Sequence, residues 1–286
     1  MTRKKRRPAK SLMLSINNRQ HPRWHLSLLA MAIAATVGGC AGRPWSTALE
    51  GERFDQTRQT IAALTAEKRR CGESLDGDLA MFYSDPLGKK ALSGYLQFSQ
   101  PGSYKFVVAN PLGQTVLAIA GDRLSYQAVN VFERQYLEGS MRSFGLRHGL
   151  PQEFLGGTWG EWLTGASERN ADTISAIRED KDGRGLWVSY RHRPPEPRGT
   201  THMLWQTESK TLLTAILEDD KQTLIAEVNY SHRMSEEACH QPLSIHITGL
   251  DFGIDIRLQL SNIKFAAEKK QYSLPIPRGY LQQYLP

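Results

Sequence analysis

The chain has 286 residues, with 36 Lys and Arg against 29 Asp and Glu, a formal net charge of +7. Eight of the basic residues and none of the acidic ones fall within residues 1–39, so the rest of the chain is close to neutral. That asymmetry removes the case for a nucleic-acid partner based on overall charge, and a hydrophobic content of 40% excludes a disordered polymer.

Arg3, Lys4, Lys5, Arg6, Arg7, Lys10, Arg19 and Arg23 precede an apolar run from Leu26 to Val37, then Gly38, Gly39 and Cys40. A basic region, a short apolar region and small residues at the end form the layout of a secretory signal peptide. The run is too short for a membrane span, which needs about 20 residues. Val37-Gly38-Gly39-Cys40 resembles the bacterial lipobox, in which cleavage precedes the cysteine and its thiol carries a diacylglyceryl anchor, with acyl groups such as palmitate. Pro8 and Ala9 after Arg6-Arg7 favour the general secretory route over twin-arginine export. The expected organisation is a signal peptide at 1–39, a lipidated tether at 40–51 and one domain at 52–286.

Cys71 and Cys239 remain, and two cysteines in an exported chain are a candidate disulfide. Such a bridge closes a loop of about 170 residues, worth ~4–5 kcal/mol in the chain-entropy view. Two buried thiols are the alternative. His232, Glu236 and His240 lie near Cys239, but their spacing matches no recognised zinc motif, and no metal is expected.

Glu52–Arg70 reads as a helix, with Phe54, Ile61 and Leu64 on one side and a basic last turn. A β pattern follows. Asp78–Tyr83, Gly94–Phe98, Tyr104–Ala109, Gln114–Ala120 and Arg123–Val129 are separated by short Pro, Gly, Asn and Asp breaks, the signature of an antiparallel meander. Residues 143–164 are apolar but rich in glycine, which predicts short helical turns packed on another element. Strands resume at Thr173–Glu179, Gly185–Arg191, Thr200–Gln206, Leu212–Glu218 and Thr223–Tyr230, with Arg193–Gly199 as a stiff loop. Phe252, Ile254, Ile256, Leu258 and Leu260 alternate with small or polar residues, and a shift to Ile263 and Phe265 predicts a bulge near Ser261-Asn262.

The chain contains no nucleophile elbow, zinc-protease motif, P-loop or dinucleotide fingerprint. The six histidines after Cys40 are scattered singly. Neither an enzyme nor a cofactor is expected. The informative stretch is Tyr104 to Thr115, in which Asn110-Pro111-Leu112-Gly113 fits a turn with Leu112 at its tip. A leucine left exposed there forgoes burial worth about 1.5–3 kcal/mol. It either folds back on its hairpin or serves as an apolar finger.

This stretch resembles the corresponding hairpin of the LolA/LolB-like lipoproteins, in particular LolB, the outer-membrane receptor for other lipoproteins. The family pattern is an aromatic-basic-aliphatic strand, then Asn-Pro-Leu-Gly, a polar residue and Thr. The resemblance is good across residues 54–165 and architectural from there to Phe265, with extra length in the 185–245 hairpins and in the tail after Ala266. It implies a mainly β fold, an incomplete, half-open antiparallel β-barrel with a helical lid and an N-terminal helix. It implies an acyl-chain cavity, for which Phe106, Val108, Val116, Ala118, Ile254, Ile256 and Leu258 are the candidates. The lid would carry Phe154, Leu155, Trp159, Trp162 and Leu163. Asn110, Pro111, Leu112 and Gly113 would form the loop that delivers cargo to the membrane. The implied partners are acyl chains of lipoproteins, a LolA-like periplasmic carrier and the membrane surface reached through the anchor. Ala41 after the lipidated cysteine, where enteric bacteria read Asp as an inner-membrane signal, points to the periplasmic face of the outer membrane.

Two other functions fit the same sequence. One is a structural or envelope-assembly lipoprotein without acyl transfer, expected if the barrel interior is filled. The other is a hydrolase, which needs a polar cluster inside the barrel.

Overall fold

Short alternating strands separated by tight turns build a single curved sheet. The computed structural model describes residues 43–286 except 70–72, 87, 111, 149–158, 166, 168, 195–197, 233–240, 251–252, 267 and 286. The expected signal peptide, Cys40, both cysteines of the expected disulfide, Pro111, Phe154 and Leu155 lie outside the described residues.

The strands in chain order are β1 (Trp45–Ala48), β2 (Ser74–Asp85), β3 (Gly88–Ser99), β4 (Ser103–Ala109), β5 (Thr115–Gly121), β6 (Ser125–Asn130), β7 (Gln135–Ser140), β8 (Ile174–Asp180), β9 (Leu186–Arg191), β10 (Gly199–Gln206), β11 (Thr211–Asp219), β12 (Leu224–His232), β13 (Pro242–Leu250), β14 (Ile254–Ala266) and β15 (Leu281–Leu285). Helix α1 spans Gly51–Arg69, α2 Met141–His148 and α3 Trp159–Thr164. The sheet order is β1-β8-β9-β10-β11-β12-β13-β14-β2-β3-β4-β5-β6-β7-β15. It comprises two antiparallel meanders, β2–β7 and β8–β14, joined where β14 pairs with β2. The sheet does not close, which leaves a half-open barrel with β1 and β15 as its edges.

The inner face carries the main core. It includes Leu96, Phe98, Phe106, Tyr190, Trp205, Ile245, Ile256 and Leu258, with Ile61 and Leu64 from α1 and Trp162 and Leu163 from α3 packed on them. Two smaller clusters lie on the outer face. Trp187, Leu204 and Ile216 are covered by Trp45 of β1. Ala118, Ala120, Val129 and Tyr136 are covered by Leu274, Tyr272 and Tyr280 of the C-terminal tail. That tail crosses the outer face as a strap. Its Lys270, Tyr272 and Leu274 amides donate to Ser99 Oγ, Ser103 Oγ and Gln127 Oε1, each at 2.8 Å. It ends as β15, paired in parallel with β7. Gly139 admits it, since a Cβ there would lie 2.2 Å from the Leu285 carbonyl oxygen.

The expected bulge is present. The β14–β2 register shifts between Ser261 and Lys264, with Asn262 at φ 52. One expectation is corrected: Ala118 does not share a face with Phe106 and Val108. It stands opposite Val107 in the β4–β5 register and belongs to the outer cluster. The register shift between Val108 and Ala109 leaves Val116 as an extra residue, and such a residue inverts the parity of the strand beyond it. Leu117 and Ile119 take the inner positions beside Val108 and Phe106.

Candidate functional site

Successive turns of a meander alternate between the two ends of a sheet. The β2–β3, β4–β5, β6–β7, β9–β10, β11–β12 and β13–β14 connections lie at one end, and the β3–β4, β5–β6, β8–β9, β10–β11 and β12–β13 connections at the other.

The helices gather at the second end. Glu67 of α1 is paired with Lys210 of the β10–β11 turn at 2.9 Å. Arg69 Nε and Nη2 donate to the carbonyl oxygens of Ser167 and Arg169 at 3.0 and 2.9 Å, tying α1 to the segment after α3. Phe144 of α2 meets Tyr126 edge-on, with ring centroids 5.1 Å apart. Trp162 and Leu163 are buried in the main core, while Trp159 opens α3.

The first end holds the Asn110–Gln114 loop. Asn110 and Gln114 close the hairpin through the Asn110 N–H to Gln114 O bond of 2.9 Å, and the Gly113 amide donates to Asn110 O at 2.9 Å. The Asn110 carboxamide oxygen also accepts the Leu112 and Gln114 amides, both at 3.0 Å. Gly113 sits at φ +78, in the left-handed region that favours glycine. The loop is therefore fixed by its own hydrogen bonds, and Leu112 at its tip is 82% exposed. Leu112 does not fold back on its hairpin.

Between the two ends, the inner face is apolar. Phe106, Val108, Ile254, Ile256 and Leu258 are buried in the main core, and Val116 is half-buried against it. Met81, Tyr83 and Leu117 are half-buried beside them, towards the Leu112 end. Ala118 is the one member of the expected set on the other face.

Two polar groupings were not anticipated from the sequence. Inside the barrel, Glu161 of α3 and Arg169 are both buried and approach to 3.5 Å. Burial pushes the Tyr190 hydroxyl above the range it has in water and drives Tyr230 well above it, and Glu161 adds to both shifts. On the outer face, His202 Nδ1 lies 2.8 Å from Ser189 Oγ and His202 Nε2 3.2 Å from Glu218 Oε2, all three residues buried. The Ser189 oxygen also accepts from Arg178 Nη1 at 3.1 Å, and Trp45 stacks on the His202 ring. A serine whose oxygen is occupied in this way, under a tryptophan and on the face away from the apolar interior, is suited to fastening β1 rather than to attacking a substrate. Among the described residues no group of His, Cys, Asp and Glu could hold a metal ion.

No family model matches the chain, and no curated protein matches it in sequence. Solved structures do. A protein domain named for outer membrane lipoprotein sorting, from Vibrio parahaemolyticus, aligns with 75% of this chain and 92% of its own at TM-score 0.52 and 10% identity. A DUF1329 family protein from Desulfovibrio piger aligns with 75% and 94% at TM-score 0.55 and 10% identity. A LolA superfamily protein from Nitrosomonas europaea aligns with 76% and 94% at TM-score 0.46 and 14% identity. The chain thus shares the half-open β-barrel fold of the outer membrane lipoprotein-sorting domain and of the DUF1329 protein.

Proposed function

We propose that this chain is a lipoprotein, anchored through Cys40 on the periplasmic face of the outer membrane, that accepts acylated proteins from a soluble LolA-like carrier and passes them into the bilayer. The observation that carries this is the polarity of the barrel. One end is plugged by α1, α2 and α3, while the other presents half-buried apolar inner residues beneath the exposed, hydrogen-bonded Leu112 tip. Transfer without an energy source needs only graded affinity. Each buried methylene contributes about 0.8 kcal/mol, so small differences in apolar contact between carrier, acceptor and membrane suffice.

Strand β1 sets the geometry of delivery. Trp45 pairs with Asp180 beside the β8–β9 turn, at the plugged end, away from Leu112. With β1 docked, the chain from Cys40 to Pro44 reaches at most about 15 Å. With β1 lifted from β8, the free chain from Cys40 to Glu50 reaches about 36 Å. Release of β1 from β8 thus more than doubles the tether through which the Leu112 end meets the membrane that holds Cys40.

The inner cluster that includes Trp162 and Leu163 favours a second function, an envelope-assembly lipoprotein with a filled interior and no acyl transfer. The two are separated by mass spectrometry of the purified mature protein, together with displacement of a fluorescent fatty acid. A co-purifying acyl chain and displacement at micromolar concentration are expected. Neither signal, with folding confirmed, would favour the second function.

A further inference from the structure

The two edges of the sheet are built differently. β1 is four residues long, and its register with β8 shifts between Trp45 and Ala48. Irregular strands and edge charges are among the devices that keep a sheet edge from pairing further. β15 is short too, but it is regular. Leu281 to Leu285 pair with Gln135 to Gly139 of β7 without a break. The run Leu281-Gln282-Gln283-Tyr284-Leu285 holds no charged residue, proline or glycine. Leu281 is 66% exposed and Tyr284 70% exposed. The β7 strand that it covers carries Glu138, so the tail replaces a charged edge with an uncharged one.

The hydrogen bonds fix which groups face outward. The Leu281 amide donates to Arg134 O at 2.8 Å. Alternate residues of a strand turn their N–H and C=O the same way. Leu281, Gln283 and Leu285 therefore bond to β7, while Gln282 and Tyr284 present theirs to the free edge. β15 is the last strand of the sheet, so those groups have no ladder partner among the described residues.

We propose that a second copy of this chain pairs with β15, antiparallel, about a two-fold axis through Gln283. In that register Gln282 stands opposite Tyr284 of the second copy, and the groups left free on both strands complete the ladder. Leu281, exposed in one copy, meets Leu285 of the other. Gln283 faces itself across the axis, where its carboxamide is donor and acceptor at once. An isologous contact sets the residue on the axis against its own copy, so a charge there would meet its like. The uncharged, self-complementary run meets that demand, which a strand from a different protein would not impose. The ladder is short beside the about 1,200 Å² of a stable interface, so the dimer is transient in dilute solution. This inference goes beyond the acceptor function proposed above, and its test needs neither anchor nor cargo.

The purified protein is oxidised with Gln282→Cys, Gln283→Cys or Tyr284→Cys, and the parent gives the background from its own thiols. All three positions are exposed, and unchanged melting temperatures check the fold. Across the axis the two 283 positions lie about 4.5 Å apart at Cα, and an opposed 282 and 284 about 5.5 Å, within disulfide reach. Two 282 or two 284 positions lie beyond the limit of about 7 Å. Gln283→Cys should therefore form a linked dimer alone. Gln282→Cys and Tyr284→Cys should do so when mixed, and at least tenfold more slowly when separate. Gln283→Lys in both members of that mixture should slow linkage at least tenfold, and Gln283→Glu in one member should restore it, as opposite charges across the axis attract. Equal rates for the mixture and for the separate variants, or no dimer from Gln283→Cys, overturns the proposal. No dimer from Gln283→Cys together with slower uptake from the carrier by Gln283→Lys would assign the edge to a carrier protein instead.

Discussion

Trp45 lies on the imidazole of His202, with ring centroids 4.6 Å apart and the planes at 29°, and packs edge-on against Trp187 at 5.2 Å. A four-residue edge strand has few ladder bonds of its own, so this aromatic contact supplies much of what holds β1 to β8. Ala48 and Arg178 are cross-strand partners, close enough for a disulfide once both are cysteine. Ala48→Cys with Arg178→Cys should trap β1 under oxidation. Uptake of acylated cargo should be unchanged and its insertion into lipid reduced at least tenfold, with recovery on reduction. Insertion at the original rate in the oxidised protein would show that β1 need not leave.

Asp180 clamps the turn next to that strand. Burial works against its charge, but Arg184 Nε and Nη2, Trp187 Nε1 and the Arg184 amide all donate to it and hold its pKa at about 2. A depressed carboxylate contributes stability that is present above its unfolded value near 4 and is lost as pH falls towards 2. The contribution is roughly 2 kcal/mol at neutral pH. Asp180→Asn should remove it, and the gap between variant and parent in denaturant melts should close between about pH 4 and pH 2. A gap that persists at pH 2 would assign the loss to packing.

Tyr230 is a hydroxyl in the interior with no hydrogen-bond partner among the described residues. Removing an unsatisfied buried hydroxyl is neutral or favourable. Tyr230→Phe should leave stability unchanged or raise it by up to about 1 kcal/mol in thermal or urea unfolding. A loss larger than that would reveal a bonded hydroxyl.

The strands of both meanders were legible where alternation was strong. Ile254, Ile256, Leu258 and Leu260 announce β14 by their period, and the glycines of 143–164 announce short helices, seen as α2 and α3. The outer end of the β2–β3 hairpin was not legible, because Gly88 to Ser93 is exposed and carries no core pattern. Strands β7, β13 and β15 were also missed, and β1 lies within the stretch expected as a tether. The face of Ala118 was hidden by one extra residue at Val116, which leaves no mark in composition. The outer-face covers were hidden for another reason. Trp45 and the strap at Lys270–Leu274 are fixed by partners more than a hundred residues away, Trp187 and His202 for one and Ser99, Ser103 and Gln127 for the other. Leu112 was legible because the Asn-Pro-Leu-Gly turn is local.

Single-turnover transfer of an acylated protein from a soluble carrier to vesicles with Leu112→Glu tests whether the open end of the barrel hands acyl chains to lipid through Leu112. The side chain is exposed, so stability should change by no more than about 0.5 kcal/mol. Uptake from the carrier should proceed at the parent rate, while appearance of cargo in the vesicle fraction should fall at least tenfold and cargo should accumulate on the variant. Delivery at the parent rate by a folded Leu112→Glu protein would show that acyl chains reach lipid without Leu112.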